Sequence, residues 1–104
     1  MPLDILIDTG NDKETRALML LIEDYNTIME ASKGKAAFPI LNRVLLDYFG
    51  DAEVYLDELT ELKQEVTQLK AFITQEGTIG FLKEFLRLIE EAETKRCTIK
   101  FVGD

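Results

Sequence analysis

The chain has 104 residues, of which 46% are hydrophobic, and a formal net charge of −8. That length suits a single domain over 1–104 with one modest core, and that apolar content excludes a disordered chain. The negative field argues against nucleic acid as a partner, and no apolar run approaches the ~20 residues a membrane span needs.

Taken in order, residues 3–7 read Leu-Asp-Ile-Leu-Ile, an alternation that predicts a short strand. Met1-Pro2 leads into this acidic segment without the basic start of a signal peptide, which points to the cytoplasm. Asp8-Thr9-Gly10 breaks the strand, and Asn11 with Glu14 forms a capping-box-like start. A first helix is expected from there to Ser32, with Leu18, Leu21, Ile22, Tyr25, Ile28 and Met29 on one face. Gly34 stops it after Lys33, a cation that suits a helix C-terminus. Pro39 fits the first turn of a second helix, which runs to Phe49 with Gly50 as its stop.

Asp51 is a good N-cap for a third helix, expected over Ala52 to about Gln75. A fourth is expected from Thr78 to Lys95. Its apolar set, including Phe81, Leu82, Phe85, Leu88, Ile89 and Ala92, covers about half the circumference and predicts a central position. Thr98–Val102 alternates again and predicts a second short strand, able to pair with the first. The expected fold class is therefore mostly α: a four-helix domain with a coiled-coil-like third helix and short terminal β-strands.

The third segment carries the main functional signal. Ala52, Tyr55, Leu59, Leu62, Val66, Leu69 and Ile73 recur at alternating steps of three and four, a heptad seam. Glu58 and Glu65 then fall at g, and Lys63 and Lys70 at e. In a parallel self-pair Glu58 would face Lys63 and Glu65 would face Lys70, opposite signs throughout. These residues, from Tyr55 to Ile73, form the expected interface of a homo-oligomer. The competing use of the same stripe is a hairpin with the fourth helix, since Gly77 permits a tight reversal.

Other chemistry is thinly supplied. There is no histidine and one cysteine, Cys97. That removes the commonest general base and zinc ligand and any intrachain disulfide. Leu6-Ile7-Asp8-Thr9-Gly10 resembles the active-site motif of retroviral-type aspartic proteases, a family that pairs two such aspartates across a dimer. The family's second motif is missing, because Ile79-Gly80 is followed by Phe81, and a helix expected directly after Gly10 does not suit an all-β fold. Glu58-x-x-Glu61 and Glu90-x-x-Glu93 resemble the paired acidic motifs of all-α nucleotide pyrophosphohydrolases. That resemblance implies Mg²⁺ held between two helices, although the family's second pair ends in Asp where this chain has Glu93. The sequence thus predicts a non-enzymatic, oligomeric protein–protein interaction or regulatory module with no cofactor and no metal site. The alternative is an acidic inhibitor, antidote or immunity-type protein that binds a basic surface on another macromolecule, with an Mg²⁺-dependent nucleotide hydrolase as a third class.

Overall fold

Alternation along the first strand sends Leu3, Ile5 and Ile7 to one side and Asp4, Leu6 and Asp8 to the other, and only the first set is buried. A computed structural model of the chain describes residues 3–8, 17–45 and 50–103. In chain order the elements are β1 (Leu3–Asp8), β2 (Ala17–Leu20), α1 (Ile22–Ser32), α2 (Pro39–Val44), β3 (Ala52–Val54), a 3₁₀ turn (Leu56–Glu58), α3 (Leu59–Lys70), α4 (Glu76–Lys95) and β4 (Thr98–Val102). The strands form one antiparallel sheet of order β2-β1-β4-β3.

This architecture corrects the mostly α four-helix expectation: the fold is mixed, with helices packed on a four-stranded antiparallel sheet. The two terminal strands do pair, and they occupy the centre of the sheet. Ile5 lies opposite Phe101 and Ile7 opposite Ile99.

Two segments expected as helix are strand. Ala17–Leu20 pairs with β1, placing Leu20 opposite Leu3 and Leu18 opposite Ile5. The apolar run from Ala17 to Ile22 contains no polar position that would separate a period of two from 3.6, so pairing with a neighbouring strand decides its conformation. The helix start assigned to Asn11 lies outside the described residues, as does the end assigned to Phe49; α1 itself begins at Ile22. Likewise Ala52–Val54 is strand β3, with Val54 opposite Ile99 on the buried side, and α3 begins only at Leu59.

Helices cover the sheet face that carries Leu3, Ile5, Ile7, Val54, Ile99 and Phe101, all essentially buried. The Phe85 ring of α4 meets the Phe101 ring edge-on, centroids 6.0 Å apart, and Phe81 stacks at a tilt on Phe85 at 5.8 Å. Such aromatic contacts add to the area term that dominates burial. The buried apolar residues of both layers form one contiguous cluster. Thr78 Oγ1 donates a hydrogen bond to Asp24 Oδ1 at 2.7 Å, tying the first turn of α1 to α4. Thr78 is therefore a buried helix-to-helix link within the first turn of α4.

Helix ends are closed by left-handed residues at two places. Gly34, at φ 74°, turns the chain after α1, and its N–H donates to Asn42 Oδ1. Arg96, at φ 57°, closes α4 while its N–H reaches Glu93 O and that of Cys97 reaches Ala92 O, a Schellman arrangement. Arginine is strained in that conformation by about 1–2 kcal/mol relative to glycine. We therefore expect Arg96→Gly to raise the unfolding free energy by about 0.5–1 kcal/mol, after the greater freedom of glycine in the unfolded chain is deducted. Urea denaturation measures it; an Arg96→Gly variant with a lower midpoint and unchanged slope would contradict this account of the cap.

Candidate functional site

Of the heptad residues expected as an interface, those on α3 lie in the interior of the chain. Leu59, Leu62, Val66 and Leu69 are each 0% exposed, and Ile73, just beyond the end of α3, is also buried. They face the core shared with α4, the helix that α3 packs against along its length. The stripe is thus filled from within the chain as a helical hairpin. Its two-in-seven narrowness fits one neighbouring helix equally well when that helix belongs to the same chain. Tyr55 precedes α3 and is 55% exposed.

The charged flanks are engaged inside the chain as well. Lys63 Nζ lies 3.2 Å from Glu90 and 3.7 Å from Glu93, and Thr60 Oγ1 donates to Glu93 at 3.0 Å. Lys70 is half-buried at the last turn of α3. Glu58 takes a two-pronged bond from Arg43, Nη1 to Oε2 at 2.6 Å and Nη2 to Oε1 at 3.0 Å. That guanidinium beside it holds the Glu58 carboxyl below the usual glutamate value, and the Arg43 pKa is raised in turn. Arg43 Nη2 also donates to Glu53 O, so one side chain joins α2, β3 and the 3₁₀ turn. Of the two acidic pairs of the sequence motif, Glu58 is thus engaged by Arg43, and Glu90 and Glu93 by Lys63; among the described residues no cluster of three or more His, Cys, Asp or Glu could hold a metal ion. Asp8 ends β1 with its carboxylate 3.2 Å from Lys100 Nζ; Thr9 and Gly10 lie outside the described residues.

Glu65 has the least expected role. It is 3% exposed and reaches from α3 to the start of α2, where Oε2 accepts from Ile40 N at 3.1 Å and Oε1 from Leu41 N at 3.0 Å. The residue before α2 is Phe38, which offers no side-chain acceptor, and Pro39 has no N–H. The orphan amides of that first turn are therefore capped from another helix. Burial pushes the Glu65 carboxyl above its ordinary value, opposed by the two amide bonds. No local motif marks this role, because the partners are 24 and 25 residues away.

Among the described residues one broad surface is left open: the second face of the sheet. Its outward positions are Met19 on β2, Asp4, Leu6 and Asp8 on β1, Thr98, Lys100 and Val102 on β4, and Glu53 on β3. Met19 is 56% exposed and Val102 38%. Asp4 sits between them in one cross-strand row, with Leu6 diagonal to both. Lys100 pairs with Asp8 and stands 3.9 Å from Glu53. At the β3 edge this face dips into a hollow of about 370 Å³ lined by Asp51, Glu53, Tyr55, Lys100 and Val102. Solvated sheet faces ordinarily alternate apolar inward with polar outward. Here Leu6, Met19 and Val102 break that alternation on three adjoining strands. The sequence signal was available in Leu6 and Val102, but the row existed only once β2 was known to be a strand.

Comparison with models of protein families, with curated proteins and with solved structures finds no match to this chain. Among the described residues no helix is long and apolar enough to cross a membrane.

The buried cap gives a pH-dependent prediction. Because the folded-state pKa of Glu65 is raised, its contribution to stability is fully present below the ordinary glutamate value and is lost as pH rises through the raised folded value. Glu58, with a lowered pKa, works in the opposite sense, so the test is a difference between variants. Glu65→Gln turns an amide donor toward one of the two backbone N–H groups. It should cost about 1–3 kcal/mol at mildly acidic pH, and the gap from wild type should narrow as pH rises. Chemical denaturation at a series of pH values measures the gap, and one that widens with pH would contradict the assignment.

Proposed function

We propose that this protein is a non-enzymatic protein–protein interaction or regulatory module that meets its partner through the open face of its sheet. The observation that supports this reading is the apolar group on the outward side of β1, β2 and β4, where Met19 and Val102 are exposed and Leu6 is half-buried beside them. Exposed apolar groups that adjoin one another and are framed by charge mark binding surfaces more often than isolated ones do. The helix stripe Leu59–Ile73 offers no such surface, because its apolar side chains are in the core. The role of self-association surface therefore passes away from that stripe, and the open face becomes the surface of contact.

Site-specific photo-cross-linking in cells of the source organism tests the proposal. A photoreactive side chain at Met19 should give a discrete covalent adduct. The same group at Gln68, exposed on α3, should give none above background. Equal adducts from both positions, or none from Met19, would count against the open face as the contact surface.

A further inference from the structure

Resting on that reading, we propose that the occupant of the open face is a basic surface of another protein rather than a second copy of this chain. Size and charge both favour this choice. With strands about 4.8 Å apart and about 3.4 Å per residue, strands of 6, 4, 5 and 3 residues present a face of about 300 Å². A stable pair needs about 800 Å² from each side, so a self-pair built on these two faces alone falls short by more than half.

Charge points the same way. Among the described residues the face carries the carboxylates of Asp4, Asp8 and Glu53 against the single ammonium of Lys100, which is already paired with Asp8 and close to Glu53. A symmetric pair of these faces brings together two surfaces of the same net negative sign, and like charges brought together across an interface are repulsive. Arginine or lysine side chains of a different protein find Asp4 between Met19 and Val102, where the ionic and apolar contacts coincide. A guanidinium also fits the hollow at the β3 edge, with Glu53 and Asp51 on its rim and the exposed Tyr55 ring beside it. The net charge of −8 adds long-range attraction toward such a partner. This is the chemistry of an acidic inhibitor or antidote that covers a basic site.

The test uses the full chain and a fluorescent synthetic peptide of alternating arginine and leucine, followed by anisotropy, with an alternating glutamate and leucine peptide as control. The arginine peptide should bind and weaken as salt is raised, and the glutamate peptide should not bind. Asp4→Lys should weaken binding about fivefold or more. Glu61→Lys, the same charge change on the exposed side of α3, should alter it less than about twofold. Met19→Ser should weaken binding at every salt concentration, and circular dichroism should show all three variants folded. If Glu61→Lys weakens binding as much as Asp4→Lys, or if wild type ignores the arginine peptide, the inference fails. If the Met19 photo-adduct proves to be a second copy of the chain, the interaction reading stands and this choice of occupant is overturned.

Discussion

The antiparallel pairing of β1 with β4 is the constraint from which the rest of the fold follows. It joins the two ends of the chain at the middle of the sheet, Asp8 opposite Thr98. Closing so long a loop costs only slightly more entropy than closing a moderate one, and the reward is a row of fully buried side chains: Leu3, Ile5, Ile7, Ile99 and Phe101. α4 runs directly into β4 through the tight Arg96 turn, so it is delivered onto that face. α3 packs back along α4, and β2 and β3 add to the two sides of the central pair. Covering one face is then complete, and the described helices leave the other uncovered.

Between these layers, polar groups act as fasteners where apolar packing alone would not fix position. Glu65 places α3 against α2 by satisfying two amides that nothing on α2 itself can satisfy. A buried carboxylate is costly, and it is tolerated because each oxygen has a donor. Arg43 does the corresponding job at the surface, binding Glu58 and the carbonyl of Glu53. The same guanidinium thereby occupies part of the outer edge of β3, a place where an unpaired strand invites unwanted pairing.

The legible part of the sequence was the part with an unambiguous period. Leu3–Asp8 and Thr98–Val102 alternate apart from Leu6 and Val102 and are strands; Phe81–Ala92 has a wide helical face and lies centrally. The heptad pattern was real over Leu59–Leu69 but said nothing about whose helix would fill it. Extending it back to Ala52 and Tyr55 produced a helix where Ala52–Val54 is a strand. There the competing alternation, Ala52 and Val54 inward with Glu53 outward, was short enough to be read either way. Ala17–Leu20 was lost to the opposite problem, an apolar run with no period at all. The Glu65 cap and the open face were out of reach, because both depend on elements far apart in the chain meeting in space.

The apolar stripe of α3 is core, and the outward row of the sheet is surface. Radical footprinting with mass-spectrometric readout, repeated across a wide dilution series, measures both in one experiment. Met19 should be strongly labelled and Leu59, Leu62, Val66 and Leu69 protected at every concentration, because that protection comes from within one chain. Labelling of those four leucine and valine side chains that grows on dilution, with the protein still folded, would show that a second copy had been covering them and would contradict this placement.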